Sequence, residues 1–213
     1  IDDLAITKEN IQVYFSGNEG FHVYVYNSQF QKIGSRERSE LTDYISLRGA
    51  IPEIFGMRKL KQDRAAFPDF DERGWRGRFS KYIFGSKSKR SKIITELLSN
   101  GYSSFQKTLD DVSENIGVKI DPNVTMDIHR IFRLPGSINS KSGLTKIQCD
   151  DLAKFDPYTE ASFLSDDTVE VIANCPIEFK LKNKKFGPYL NEKTTLPTFA
   201  AVYMICKKLA RIA

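Results

Sequence analysis

The stretch that most constrains this chain is a turn. Ile11 to Phe15 and Phe21 to Tyr26 are rich in β-branched and aromatic residues, and Ser16-Gly-Asn-Glu-Gly20 between them is turn chemistry throughout. Two strand-like runs around a short, glycine-bearing loop predict a β-hairpin. Gly17 and Gly20 permit left-handed backbone and a close approach to a ligand. Ser16 and the loop amides can hydrogen-bond an anion, and His22 emerges at the start of the return strand. Read alone, such a hairpin requires no function.

A second stretch, far downstream, changes that reading. Val124 to Phe132 is β-prone and contains Asp127 and Arg130, with Arg133 just beyond. The run breaks at Pro135-Gly136 into a Ser/Asn/Lys loop that includes Asn139 and Lys141 and ends at Leu144. Strand ends that open into polar loops are where a rigid scaffold presents charged groups to a ligand. On a strand, an even offset places Arg133 on the face of Asp127, and an odd one turns Arg130 away. The bland alternative is a strand and a turn in which Asp127 pairs with Arg130.

Together, Ser16-Gly-Asn-Glu-Gly-Phe-His22 and Asp127-Ile-His-Arg-Ile-Phe-Arg-Leu-Pro135, running on into Ser137-Ile-Asn-Ser-Lys-Ser-Gly-Leu144, resemble the small catalytic subunit of the archaeal–eukaryotic primases. Phe155-Asp-Pro-Tyr-Thr159 is similar to a further run of that family. The resemblance implies an α+β fold, a primase-type catalytic core with a mainly antiparallel sheet flanked by helices. It implies synthesis of short RNA or DNA primers from nucleoside triphosphates on single-stranded DNA, with a large primase subunit as partner. By the same resemblance Ser16, Gly17 and His22 contact the triphosphate, Asp127 is a catalytic metal ligand, and Arg133, Asn139 and Lys141 lie along the phosphates. Two-metal nucleotidyl transfer with Mg²⁺ or Mn²⁺ is implied.

The chain also departs from that pattern. Asn18 and Glu19 stand where eukaryotic members carry arginines, and Asn139 stands where the family has a histidine. The family's Asp-x-Asp strand and a full helix would have to precede Ser16, but Asp2 and Asp3 lie too near it for both. The zinc knuckle of that upstream region has no counterpart either. The expectation is therefore one catalytic carboxylate of three and no activity without an upstream part. A first residue of Ile rather than Met fits a fragment. Two alternatives stay open: a non-catalytic primase-fold subunit that binds DNA, and a related repair or plasmid nucleotidyltransferase.

Charge distribution points to a polyanion. The net charge is +5, but Arg58 to Lys92 holds twelve basic and four acidic residues, +8, which leaves −3 for the rest. Phe67, Phe70, Trp75, Phe79, Tyr82 and Phe84 interleave with these cations, as in a groove for single-stranded nucleic acid. Arg73, Arg76, Arg78 and Lys81 are the expected DNA contacts. The competing reading is a helical layer with rings inward and cations outward. The three cysteines have no paired spacing, and no run is apolar and long enough to cross a membrane. Cytoplasmic, nucleoid-associated placement is expected for an archaeal chain and nuclear placement for a eukaryotic one.

Elsewhere the periodicity predicts helices at Ser35–Leu47, Ile93–Leu98, Phe105–Ile116 and from Leu196 to Cys206, and strands at Thr168–Ile172 and Ile177–Leu181. Ile1 to Ile6 reads as a helix tail, and Ser86–Lys92 as a mobile loop or a helix start. The expected organisation is a catalytic core over 1–160 with a basic helical insertion at about 52–120, followed by an extension over 161–213 packed on the core.

Overall fold

The computed structural model describes residues 2–213, the side chain of Asp2 excepted, so the helix-tail reading of Ile1 lies outside the described residues. Asp2–Leu4 form a single 3-10 turn. The chain divides into two units. One joins the residues up to Ile6 to Ser28–Arg130, and the other joins Thr7–Asn27 to Ile131–Ala213. Helices and antiparallel sheets together make the α+β class that the sequence implied.

The first unit is helical, with α1 (Ser28–Gln31), α2 (Ser35–Ser46), α3 (Gly74–Phe79), α4 (Lys87–Asn100), α5 (Tyr102–Ile116) and α6 (Pro122–Met126). On α5, Phe105, Leu109 and Val112 recur at helical spacing and are buried, which makes one apolar stripe. That stripe closes on Phe55, Met57, Phe67, Trp75, Phe79, Phe84 and Ile94. The interleaved aromatics are therefore mostly core: Phe67, Phe79 and Phe84 are at most 1% exposed, whereas Tyr82 is 44% exposed. Burying a ring removes roughly 150–250 Å² from water, a gain that favours rings inward and cations outward. Ser86–Lys92 resolves as a helix start, with α4 beginning at Lys87.

One expectation is overturned here. Val124–Phe132 is not a strand: Val124–Met126 complete α6, and irregular chain follows to Leu134. Pro122 in the first turn and Asp121, whose carboxylate accepts the Asn123 N–H at 3.0 Å, start a helix. A strand also needs a neighbour for its backbone donors and acceptors. Among the described residues none pairs with this run, and its β-branched composition cannot supply one. The face that strand geometry gave Asp127 and Arg133 in common goes with it.

The second unit carries the hairpin. Strands β1 (Ile11–Phe15) and β2 (Phe21–Val25) pair antiparallel, and β1 also pairs with β3 (Ile147–Gln148), in the order β2-β1-β3. Phe15 lies opposite both Phe21 and Ile147, so these three share one face; Tyr14, opposite His22 and Gln148, marks the other. Downstream, α7 (Pro157–Glu160) precedes a second antiparallel sheet of β4 (Thr168–Cys175), β7 (Tyr189–Pro197) and β8 (Ala210–Ile212), ordered β7-β4-β8. Between β4 and β7 a small hairpin joins β5 (Phe179–Leu181) to β6 (Lys184–Phe186). Helix α8 (Thr198–Cys206) starts two residues later than the periodicity implied, because Leu196 and Pro197 finish β7. Ile177 lies outside β5 and is exposed.

Phe15, Leu144 and Cys149 share one core with Val171, Leu196, Phe199 and Met204. The residues after 160 thus pack with the hairpin sheet rather than standing apart from it. Gly143 makes the tightest of these approaches. Its φ is +73°, and a Cβ there would meet the Tyr203 backbone of α8 at 2.7 Å.

Candidate functional site

The hairpin turn is closed by Ser16 N–H donating to the Gly20 carbonyl at 2.8 Å. The Ser16 hydroxyl turns inward on its own loop and accepts from the amides of Asn18 at 3.4 Å and Gly20 at 3.3 Å. Gly17 is buried with φ +85°, and a Cβ there would lie 3.0 Å from the Leu144 carbonyl and 3.1 Å from the Asn139 Cβ. The loop therefore rests on the Asn139–Leu144 loop with no room for a side chain.

That second loop is built from its own polar groups. Asn139 is buried, and its side-chain oxygen accepts the Lys141 N–H at 2.9 Å. Its main-chain carbonyl accepts from Ser142 and Gly143, at 3.2 and 2.7 Å. The buried Ser142 hydroxyl donates to the Gly17 carbonyl and accepts the Leu144 N–H at 3.1 Å. Lys141 is exposed on the same loop. Arg133 ties the assembly together, its guanidinium donating to the Ser16 carbonyl at 3.0 Å. On the polar face of the sheet, His22 packs edge-on to Phe132 at 5.9 Å and lies 6.5 Å from the Tyr24 ring.

Six of the residues singled out in the sequence (Ser16, Gly17, His22, Arg133, Asn139 and Lys141) thus belong to this one unit, and hydrogen bonds and packing link the two loops to Arg133. Asp127 belongs to the other unit. It is exposed, and its Oδ1 accepts the His129 N–H at 2.9 Å. Arg130, the partner in the bland reading, reaches Asp121 at 3.7 Å instead. Among the described residues no three of His, Cys, Asp and Glu come close enough together to hold a metal ion. One exposed carboxylate does not fit a two-metal centre, and no chemical step through a metal follows from these residues alone.

The expected DNA-contacting cations lie in the helical unit. Arg73, Arg78 and Lys81 line a cleft of about 700 Å³ together with Asp3, Asp71 and Glu72. Each acid there is already paired: Asp3 with Arg78, Asp71 with Lys87 and Glu72 with Arg76. The Arg78 guanidinium, followed by the Tyr44 hydroxyl, holds the Asp3 carboxyl below its ordinary range against the opposing pull of burial. Arg76 is committed to structure, donating to the Ile54 and Ala66 carbonyls as well as to Glu72. That leaves Arg73 and Lys81, both exposed, as the cations of the cleft with no ion pair among the described residues.

The sequence reading missed Lys146 and the Tyr14–Tyr24 pair. Their only signal was polar or aromatic residues set within strand-like or loop runs, which has no meaning until the two loops are seen to stack.

The comparisons with known proteins identify the family. The family model described as DNA primase small subunit matches residues 1–150. The chain belongs to the DNA primase small subunit family. Among curated members, the DNA primase small subunit of Nitrosopumilus maritimus is 80% identical over 212 residues, which is 100% of this chain and 57% of that protein. The corresponding subunit of Cenarchaeum symbiosum is 49% identical over the same share of each chain. That of Thermoplasma acidophilum is 32% identical over 96% of this chain and 61% of its own length. The chain therefore spans somewhat more than half the length of these primase subunits. No helix among its described residues is long and apolar enough to cross a membrane.

Proposed function

We propose that this chain is the triphosphate-holding portion of a DNA primase small subunit, the subunit that makes short RNA or DNA primers on single-stranded DNA. One observation carries the reading. Arg133, just ahead of the second loop, reaches the Ser16 carbonyl, so a cation, the Gly17 and Glu19 amides that the turn itself leaves over and His22 are assembled in one unit, in the family's order. Backbone amides next to a fixed guanidinium are suited to phosphate oxygens. Ser16, Gly17 and His22 hold the triphosphate, with Arg133 and Lys141 along it, and Asn139 shapes the loop beneath.

Asp127 is the catalytic carboxylate that these residues contribute. Acids encoded outside them complete a site for Mg²⁺ or Mn²⁺, and the zinc site of the family lies there too. On this reading the part described here does not polymerise alone. Its partners are template DNA, nucleoside triphosphates and a large primase subunit, and its place is with the nucleoid.

The test is primer synthesis by the full-length subunit with its large subunit, on single-stranded DNA with nucleoside triphosphates and Mn²⁺. Activity is expected from the full-length protein and none from residues 1–213 alone. Asp127→Asn in the full-length protein abolishes synthesis while DNA binding stays within about twofold of wild type. Equal loss of both would mark Asp127 as structural. The lone carboxylate and the exposed Glu19 favour a second reading, a primase-fold subunit that binds DNA without catalysis. A full-length protein that binds DNA but makes no primer supports that reading.

A further inference from the structure

Lys146 is 0% exposed. Its ammonium donates to the Tyr24 hydroxyl at 2.5 Å and to the Arg133 carbonyl at 2.8 Å, and lies 4.7 and 5.4 Å from the ring centroids of Tyr24 and Tyr14. All of these partners are neutral, and among the described residues no carboxylate comes within ion-pair distance. Hydrogen bonds and ring faces offset part of the cost of burying a cation, but an unpaired one remains far costlier than an apolar side chain of similar length. A fold that needed only to fill this space would be better served by methionine.

The position gives the charge a use. The Lys146 N–H donates to the Ser137 carbonyl at 2.9 Å, and the Lys146 carbonyl accepts the Gly136 N–H at 2.8 Å, so its main chain is woven into the second loop. A Cβ on Gly17 would lie 3.4 Å from the Lys146 main-chain nitrogen. The Arg133 whose carbonyl Lys146 grips is the same Arg133 whose guanidinium holds Ser16. A positive charge thus sits against the main chain of Arg133, whose guanidinium makes the Ser16 contact, in an interior where water screens it little.

We propose that Lys146 is a positioning residue for the phosphate end of the nucleotide. Its charge is balanced by the bound polyphosphate rather than by a protein carboxylate, and its grip on the Arg133 main chain fixes where that guanidinium points. This rests on the reading of the Ser16–Arg133 assembly as the triphosphate site, and it assigns a role to a buried residue outside the motifs that suggested that site.

The test uses the full-length small subunit with its large subunit. It measures binding of a nucleoside tri-, di- and monophosphate at fixed ionic strength for wild type, Lys146→Met, Tyr24→Phe and Arg133→Ala. Lys146→Met is expected to lose about tenfold in triphosphate affinity, less for the diphosphate and least for the monophosphate, because each phosphate removed weakens the charge interaction. Its melting temperature without nucleotide is unchanged or higher. Tyr24→Phe, which keeps the charge and loses one hydrogen bond, is expected to retain most of the affinity. An equal loss for all three ligands would make Lys146 structural and overturn the proposal, as would an unchanged triphosphate affinity. Arg133→Ala separates the layers. If it binds triphosphate as wild type does, the nucleotide-site reading itself fails; if it loses affinity while Lys146→Met does not, only the role of Lys146 fails.

Discussion

Gly143 shows how one residue can be decided by its neighbours rather than by its own turn. Its φ of +73° already disfavours a side chain, and the Tyr203 backbone 2.7 Å from where a Cβ would sit forbids one without moving α8. Gly143→Ala is therefore expected to destabilise the protein by more than about 2 kcal/mol, seen as a lower midpoint in denaturant unfolding. Gly136, also at positive φ, has open space around the corresponding point, and Gly136→Ala is the milder control. In the sequence both read as turn glycines. Asn139 follows the same logic: from its type it could contact a phosphate or a sugar, yet it is buried with its side-chain oxygen spent on the Lys141 amide. A residue type fixes what a side chain can do, and its surroundings fix which option is used.

At the scale of elements, periodicity located α2, α5, β1, β2 and β4, because each carries its apolar residues at the spacing of its own geometry. It failed where pairing decides. Val124–Phe132 has strand composition, but a proline and an aspartate cap begin a helix there and no strand flanks it among the described residues. The basic segment was ambiguous for a related reason: rings interleaved with cations suit a groove or a core equally well until their burial is known. How α3 is anchored was also hidden, because Arg78 on α3 pairs with Asp3, 75 residues earlier in the chain. The Asp3 carboxyl is held below its ordinary range, so the folded state binds this proton less readily than the unfolded chain does. The stability from this pair is fully present above the unfolded carboxylate value and is lost as pH falls through the folded one. Asp3→Asn is accordingly expected to melt below wild type at pH 7, and the gap should narrow progressively as pH falls below the ordinary carboxylate value. The gap should be modest, since Arg78 is 46% exposed and water screens the pair. A gap independent of pH would assign the effect to packing.

For the whole molecule, charge is the property the sequence stated most directly. The +8 segment was legible as a count, but which cations remain available was not, because Arg76, Arg78 and Lys87 are engaged by acids lining the same cleft. Neutralising Arg73 and Lys81 together is expected to weaken single-stranded DNA binding and lower the slope of log affinity against log salt by about 1–2, measured by fluorescence anisotropy between low and moderate salt. An unchanged slope would reduce the cleft to a solvated surface. Family, hairpin and the order of the two loops were determined by the sequence alone, since turn chemistry and motif spacing are local and survive in one dimension. Tertiary structure alone decided that Lys146 lies buried against the main chain of Arg133, that Gly143 lies under α8 and that the aromatic run is a core. Each of those facts is a contact between residues distant in the chain, and the energies of burial and pairing that select such contacts exist only once the partners have been brought together.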